Sequence, residues 1–79
     1  MKFKNQAKLI KSVRLKAGLS QSQMAKLLGY KSGQFISNME RGICGLPPES
    51  HKKIRGLVSK QALLSAVIQD VKAHWSEYL

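Results

Sequence analysis

Gln34 and Asn38 stand four residues apart, the spacing that makes two side chains neighbours on one face of a helix. A side-chain amide donates and accepts at once, which matches the N6/N7 edge of adenine, and a good bidentate pair discriminates between bases by ~1–3 kcal/mol. The plainer alternative is a solvated polar face. Ser32 and Ser37 lie beside the pair, and their hydroxyls serve helix caps, bases and phosphates equally well. Lys26, Lys31 and Arg41 are the nearby cations; on a phosphate backbone they would fix register without carrying sequence information, or they are simply solvated. Other chemistry finds little footing. His51, His74 and Cys44 are the only residues of their types, so no ligand set at zinc-site spacing exists and no intrachain disulfide can form. The acids are scattered, no glycine-rich phosphate loop occurs, and no nucleophile–base arrangement is suggested. The expectation is no enzyme, no cofactor and no metal, with His51, His74 and Cys44 incidental.

Charge narrows the partner. Fourteen Lys and Arg face four Asp and Glu, a formal net charge of +10 and a pI near 10.2. Before Glu40 there is no acidic residue, while Lys2, Lys4, Lys8, Lys11, Arg14, Lys16, Lys26 and Lys31 accumulate. Such a half-chain concentrates a polyanion and gains affinity by releasing its counterions. An anionic membrane surface fits less well, because turn signals interrupt the apolar residues. No apolar run approaches the ~20 residues that span a bilayer, and the start, Met-Lys-Phe-Lys-Asn-Gln-Ala-Lys, lacks a signal-peptide core. The expected location is the cytoplasm. A hydrophobic share of 43% is that of a packed domain rather than a disordered chain. Residues 1–79 read as one domain, small enough that oligomerisation is the remaining route to extra stability.

Five helices and no strand are expected to position these residues. The first is expected to follow Asn5 as N-cap and end at Ala17 with Gly18 after it, Leu9, Ile10, Val13 and Ala17 facing inward. Ser20 and Gln23 form a capping-box pattern for the second, with Met24, Leu27 and Leu28 apolar, Ala25 small and Gly29 terminal. Tyr30 and Lys31 make a turn, Ser32 is the expected N-cap of the third, and Phe35, Ile36 and Met39 its buried side, ended by Gly42. After a loop at Ile43 to Pro47, Pro48 suits the first turn of a fourth helix whose core residues are Ile54, Leu57 and Val58. About 60–78 is the longest periodic segment, with Leu64, Val67, Ile68, Val71, Trp75 and Tyr78 on one broad face. A helix of that length can pack on the core and still present surface to a second subunit.

The run Arg14-Leu-Lys-Ala-Gly-Leu-Ser-Gln-Ser-Gln-Met-Ala-Lys-Leu-Leu-Gly resembles helices 1 and 2 of the lambda-repressor-like, Cro-type (XRE-like) helix-turn-helix family of bacterial and phage transcriptional regulators. Phe35-Ile-Ser-Asn-Met-Glu-Arg-Gly resembles that family's recognition helix and its Glu-Arg-Gly ending. The likeness covers about Ile10 to Ile54, within a family-like core of about 10–58. One departure stands out: Gly29 to Ile36 is one residue longer than the commonest family spacing, so the turn carries an extra residue. The resemblance implies an all-α, five-helix domain whose helices 2 and 3 form a helix-turn-helix on double-stranded DNA, helix 3 entering the major groove.

Residue roles follow from that likeness. Gln34 and Asn38 align with positions that touch bases, Ser37 and Ser32 being lesser candidates. Gln21, at the start of helix 2, aligns with a phosphate contact, to which Ser22, Lys26, Lys31 and Arg41 add. Arg14 and Glu40 align with a structural ion pair between helices 1 and 3. Trp75, Tyr78 and Leu79 belong either to the core or to a homodimer interface, since family members commonly dimerise through C-terminal elements. The implied function is a repressor on a palindromic operator. Two rivals remain: an antitoxin or operon controller that also holds a partner protein, and a protein-interaction scaffold that binds no DNA. RNA is favoured by charge alone, and an A-form major groove is too narrow for helix 3.

Overall fold

Gly18, Gly29 and Gly42 punctuate the N-terminal half, and each follows the C-cap residue of a helix in the computed structural model, which describes residues 2–76. These helices are α1 (Lys4–Lys16), α2 (Gln21–Leu27) and α3 (Gln34–Glu40). All three close with the same pair of backbone bonds. At the end of α2 the Gly29 N–H donates to the Lys26 carbonyl, and the Tyr30 N–H reaches back to Ala25. That is a Schellman motif, which satisfies carbonyls a helix end would otherwise orphan. It requires the left-handed backbone Gly29 adopts, φ 85°, where a Cβ would cost roughly 1–2 kcal/mol.

The two helix starts differ in kind. Ser20 Oγ accepts from the Gln23 N–H while Gln23 Oε1 accepts from the Ser20 N–H, so the capping box at α2 is complete and local. At α1 the expected Asn5 cap does not form: the helix begins at Lys4, with Phe3 as an N-cap that offers no side-chain bond. The orphan donors find a partner far along the chain instead. Asp70 Oδ1 accepts from the Asn5 N–H at 2.8 Å and from Asn5 Nδ2 at 3.0 Å, and Oδ2 accepts from the Gln6 N–H at 2.9 Å.

Asp70 lies on α5 (Lys60–Ser76), which follows α4 (Pro48–Ile54). Pro48 occupies the first turn of α4, where its missing N–H costs nothing. Ser59 Oγ accepts from the Ala62 N–H and so caps α5. No strand occurs among the described residues, and none of their helices is long and apolar enough to cross a membrane.

Ile10 and Val13 of α1, Met24, Ala25 and Leu28 around α2, and Ile36 and Met39 of α3 form one core with Leu46, Ile54 and Leu63. Phe35 and Val58 pack on its margin. Several apolar residues expected inside lie outside. Ala17, the C-cap of α1, is exposed, and so is Leu27, because the core lies on the Met24–Ala25–Leu28 side of α2. Leu57 falls beyond the end of α4 and is exposed as well. On α5, left open between core and a second subunit, the buried line is Leu63, Ala66 and Asp70. The bulkier residues Leu64, Ile68, Val71 and Trp75 face solvent, Trp75 at 61% exposure. Asp70 sets this rotation: its carboxylate must point at the start of α1 to meet three donors.

Candidate nucleic-acid interface

Ile36 and Met39 grip the core, which leaves the opposite side of α3 to Gln34, Ser37, Asn38 and Arg41. Gln34 and Arg41 are exposed, and Ser37 and Asn38 half-buried. Three of the four are joined. Asn38 Oδ1 accepts from Gln34 Nε2 at 3.1 Å and from Arg41 Nη2 at 2.6 Å, the latter a charge-assisted bond. The row is therefore joined by hydrogen bonds of its own with no partner present.

Behind the row, the ends of α1 and α3 are tied together. Arg14 Nε donates to Glu40 Oε2 at 2.7 Å and Nη2 to Oε1 at 3.1 Å, while Nη1 donates to the Leu19 carbonyl at 2.9 Å. One guanidinium thus holds the last residue of α3 and the loop entering α2. The hydrogen bond to Glu40 raises the Arg14 pKa above its ordinary value, against the opposing effect of burial. Gln21 Nε2 makes a long 3.5 Å contact with the same carboxylate, so this residue of α2 sits beside the end of α3.

Gly33 was not singled out by its sequence context, yet it sets how closely the two helices meet. A Cβ there would lie 3.1 Å from the Ser22 nitrogen and 3.2 Å from the Gln21 carbonyl carbon. It is also the N-cap of α3, the position expected for Ser32. Ser32 lies one residue earlier, its Oγ accepting from the Gln34 N–H at 3.4 Å. The extra residue in the turn accounts for the shift, and a glycine one position before Gln34 was its available signal. Ala25, wholly buried, completes the close approach of α2.

The cations are distributed unevenly. Lys26 and Lys31 are exposed, as is Ser22. Lys53 is spent on the fold, donating to the Leu28 carbonyl at 3.1 Å. The acids matter more. Glu40, the only acidic residue before Glu49, is neutralised by Arg14, and Asp70 is buried in its capping role. No free carboxylate on α1, α2 or α3 therefore opposes a phosphate.

The remaining residues stand apart from this row. His51 Nε2 lies 3.3 Å from the Leu46 carbonyl, and burial pushes the Cys44 thiol up. Among the described residues no group of three or more His, Cys, Asp and Glu could hold a metal ion. Trp75 lies on α5, near Phe3 and Val71. Tyr78 and Leu79 lie outside the described residues.

Residues 10–47 match the helix-turn-helix family. No curated protein and no solved structure matches the chain. The matched segment runs from the buried face of α1 through the loop after α3, and it contains the capping box, Ala25, Gly29, the Arg14–Glu40 pair and the polar row. Residues 10–47 are thus a lambda-repressor-like helix-turn-helix, the DNA-binding element of a family of transcription regulators.

Proposed function

We propose that the chain is a repressor that occupies a palindromic operator as a homodimer in the cytoplasm, with α3 in the major groove. The observation that carries the reading is the ordered outward row Gln34, Asn38 and Arg41 on a helix whose other side is locked into the core. Gln34 and Asn38 touch base edges, with Ser37 and Ser32 beside them. Gln21, Ser22, Lys26, Lys31 and Arg41 meet phosphates. Trp75 contributes to the interface with the second copy, along with Leu64, Ile68 and Val71 on the same exposed face. Repression follows from occupancy alone, since Glu40 and Asp70 are consumed within the fold and leave little acidic surface for recruiting polymerase.

The exposed apolar face of α5 also suits a second reading, an operon controller that holds a partner protein there. Self-association separates the two: a homodimer persists in the purified protein, whereas a face kept for another polypeptide leaves a monomer.

A selection of bound duplexes from a random pool tests the reading, run at about 150 mM salt to suppress purely electrostatic binding. An enriched palindrome with half-sites one helical turn apart supports it. Binding without enrichment that vanishes as salt rises contradicts it.

A further inference from the structure

We infer that Arg41 is a specificity-determining residue: by holding the Asn38 oxygen it makes Asn38 a donor only, so the base read there is guanine rather than adenine. This rests on the DNA-binding reading above. An amide can meet adenine bidentately only if its oxygen is available to accept from N6 while its nitrogen donates to N7. The Asn38 oxygen is not available. A carbonyl oxygen has two lone pairs, and here Gln34 Nε2 takes one at 3.1 Å and Arg41 Nη2 the other at 2.6 Å. What Asn38 still presents is its Nδ2 group, two hydrogens that donate, beside the remaining donors of the Arg41 guanidinium. Guanine offers two acceptors in the major groove, O6 and N7, whereas adenine offers N7 beside the N6 donor. Donors facing donors at N6 are repelled, and donors facing O6 are satisfied. The residue type alone favours adenine; its two neighbours on the same helix reverse the preference. Gln34 differs, because its Oε1 is not engaged and it keeps the capacity to accept.

The inference is tested in two steps. Selections with the unaltered protein and with Asn38→Ala identify the base pair whose preference depends on Asn38. Affinities are then measured for two duplexes differing only there, guanine in one and adenine in the other, with the unaltered protein and with Arg41→Ala. The expected result is a preference for guanine of about tenfold or more. In Arg41→Ala that ratio moves several-fold toward adenine, with the melting temperature unchanged. A mere phosphate contact by Arg41 would weaken both duplexes equally and leave the ratio where it was, which overturns the inference. A preference for adenine in the unaltered protein overturns it too, as does an Asn38→Ala variant that keeps every base preference. A pool that yields no enriched site overturns the DNA-binding reading and this inference together, whereas an enriched site with an unmoved ratio overturns the inference alone.

Discussion

The outward faces of α3 and α5 are built on opposite principles. That of α3 is polar, and its side chains hydrogen-bond one another through Asn38. Its helix is braced from behind by the Arg14–Glu40 pair. Empty, it is content in water; occupied, it offers donors and acceptors already arranged, so little ordering entropy is lost on binding. The face of α5 is apolar, with Leu64, Ile68, Val71 and Trp75 in contact with solvent. Left empty it forfeits roughly 25 cal/mol for each Å² of apolar area that a partner would cover. The contrast separates a surface suited to a hydrated, charged partner that comes and goes from one suited to a lasting protein contact.

Five substitutions probe that contrast. The largest effect is expected at the brace. Glu40→Ala leaves Arg14 partly buried without its carboxylate and should lower stability by roughly 3–5 kcal/mol in denaturant unfolding. Melting within a degree of the parent would show that α3 needs no brace. Next, Trp75→Ala should weaken self-association by about 2 kcal/mol or more if this residue is an interface anchor, read as a shift in the dilution at which the dimer dissociates. A mass that stays the same at every concentration removes α5 as the dimer surface. Asp70→Ala orphans the first N–H groups of α1 and should cost about 1–3 kcal/mol of stability. An unshifted melting curve would mean that the α5 rotation has another cause. The smallest effect belongs to the cations: Lys26→Gln and Lys31→Gln should weaken all sequences alike, each reducing the slope of log affinity against log salt by about 0.9. A change in sequence preference instead would move these lysines from the phosphates to the bases.

The helix-turn-helix was legible because its signals are local. A capping box spans four residues, and a glycine after an apolar turn marks its own helix end, so α2 and the ends of α1 and α3 needed no tertiary information. The polar row could likewise be read from four-residue spacing, although the bonds from Gln34 and Arg41 that occupy the Asn38 oxygen could not. What escaped depended on distant partners. Asp70 caps a helix 65 residues away, and nothing near Asn5 announces it. On α5 two stripes compete: periodicity favours the bulkier one, while the buried one is Leu63, Ala66 and a carboxylate that no hydrophobic pattern would select. Gly33 escaped because the extra turn residue moved the start of α3 by one position.

The division between the two faces is tested most directly by titrating the isotope-labelled protein with a selected duplex and following the backbone amide resonances. The largest shifts are expected at Gln21, Ser22 and the residues of α3, while Leu64, Ile68 and Val71 respond to dilution of the protein rather than to DNA. Shifts concentrated on α5, with Gln34, Asn38 and Arg41 unmoved, would contradict it.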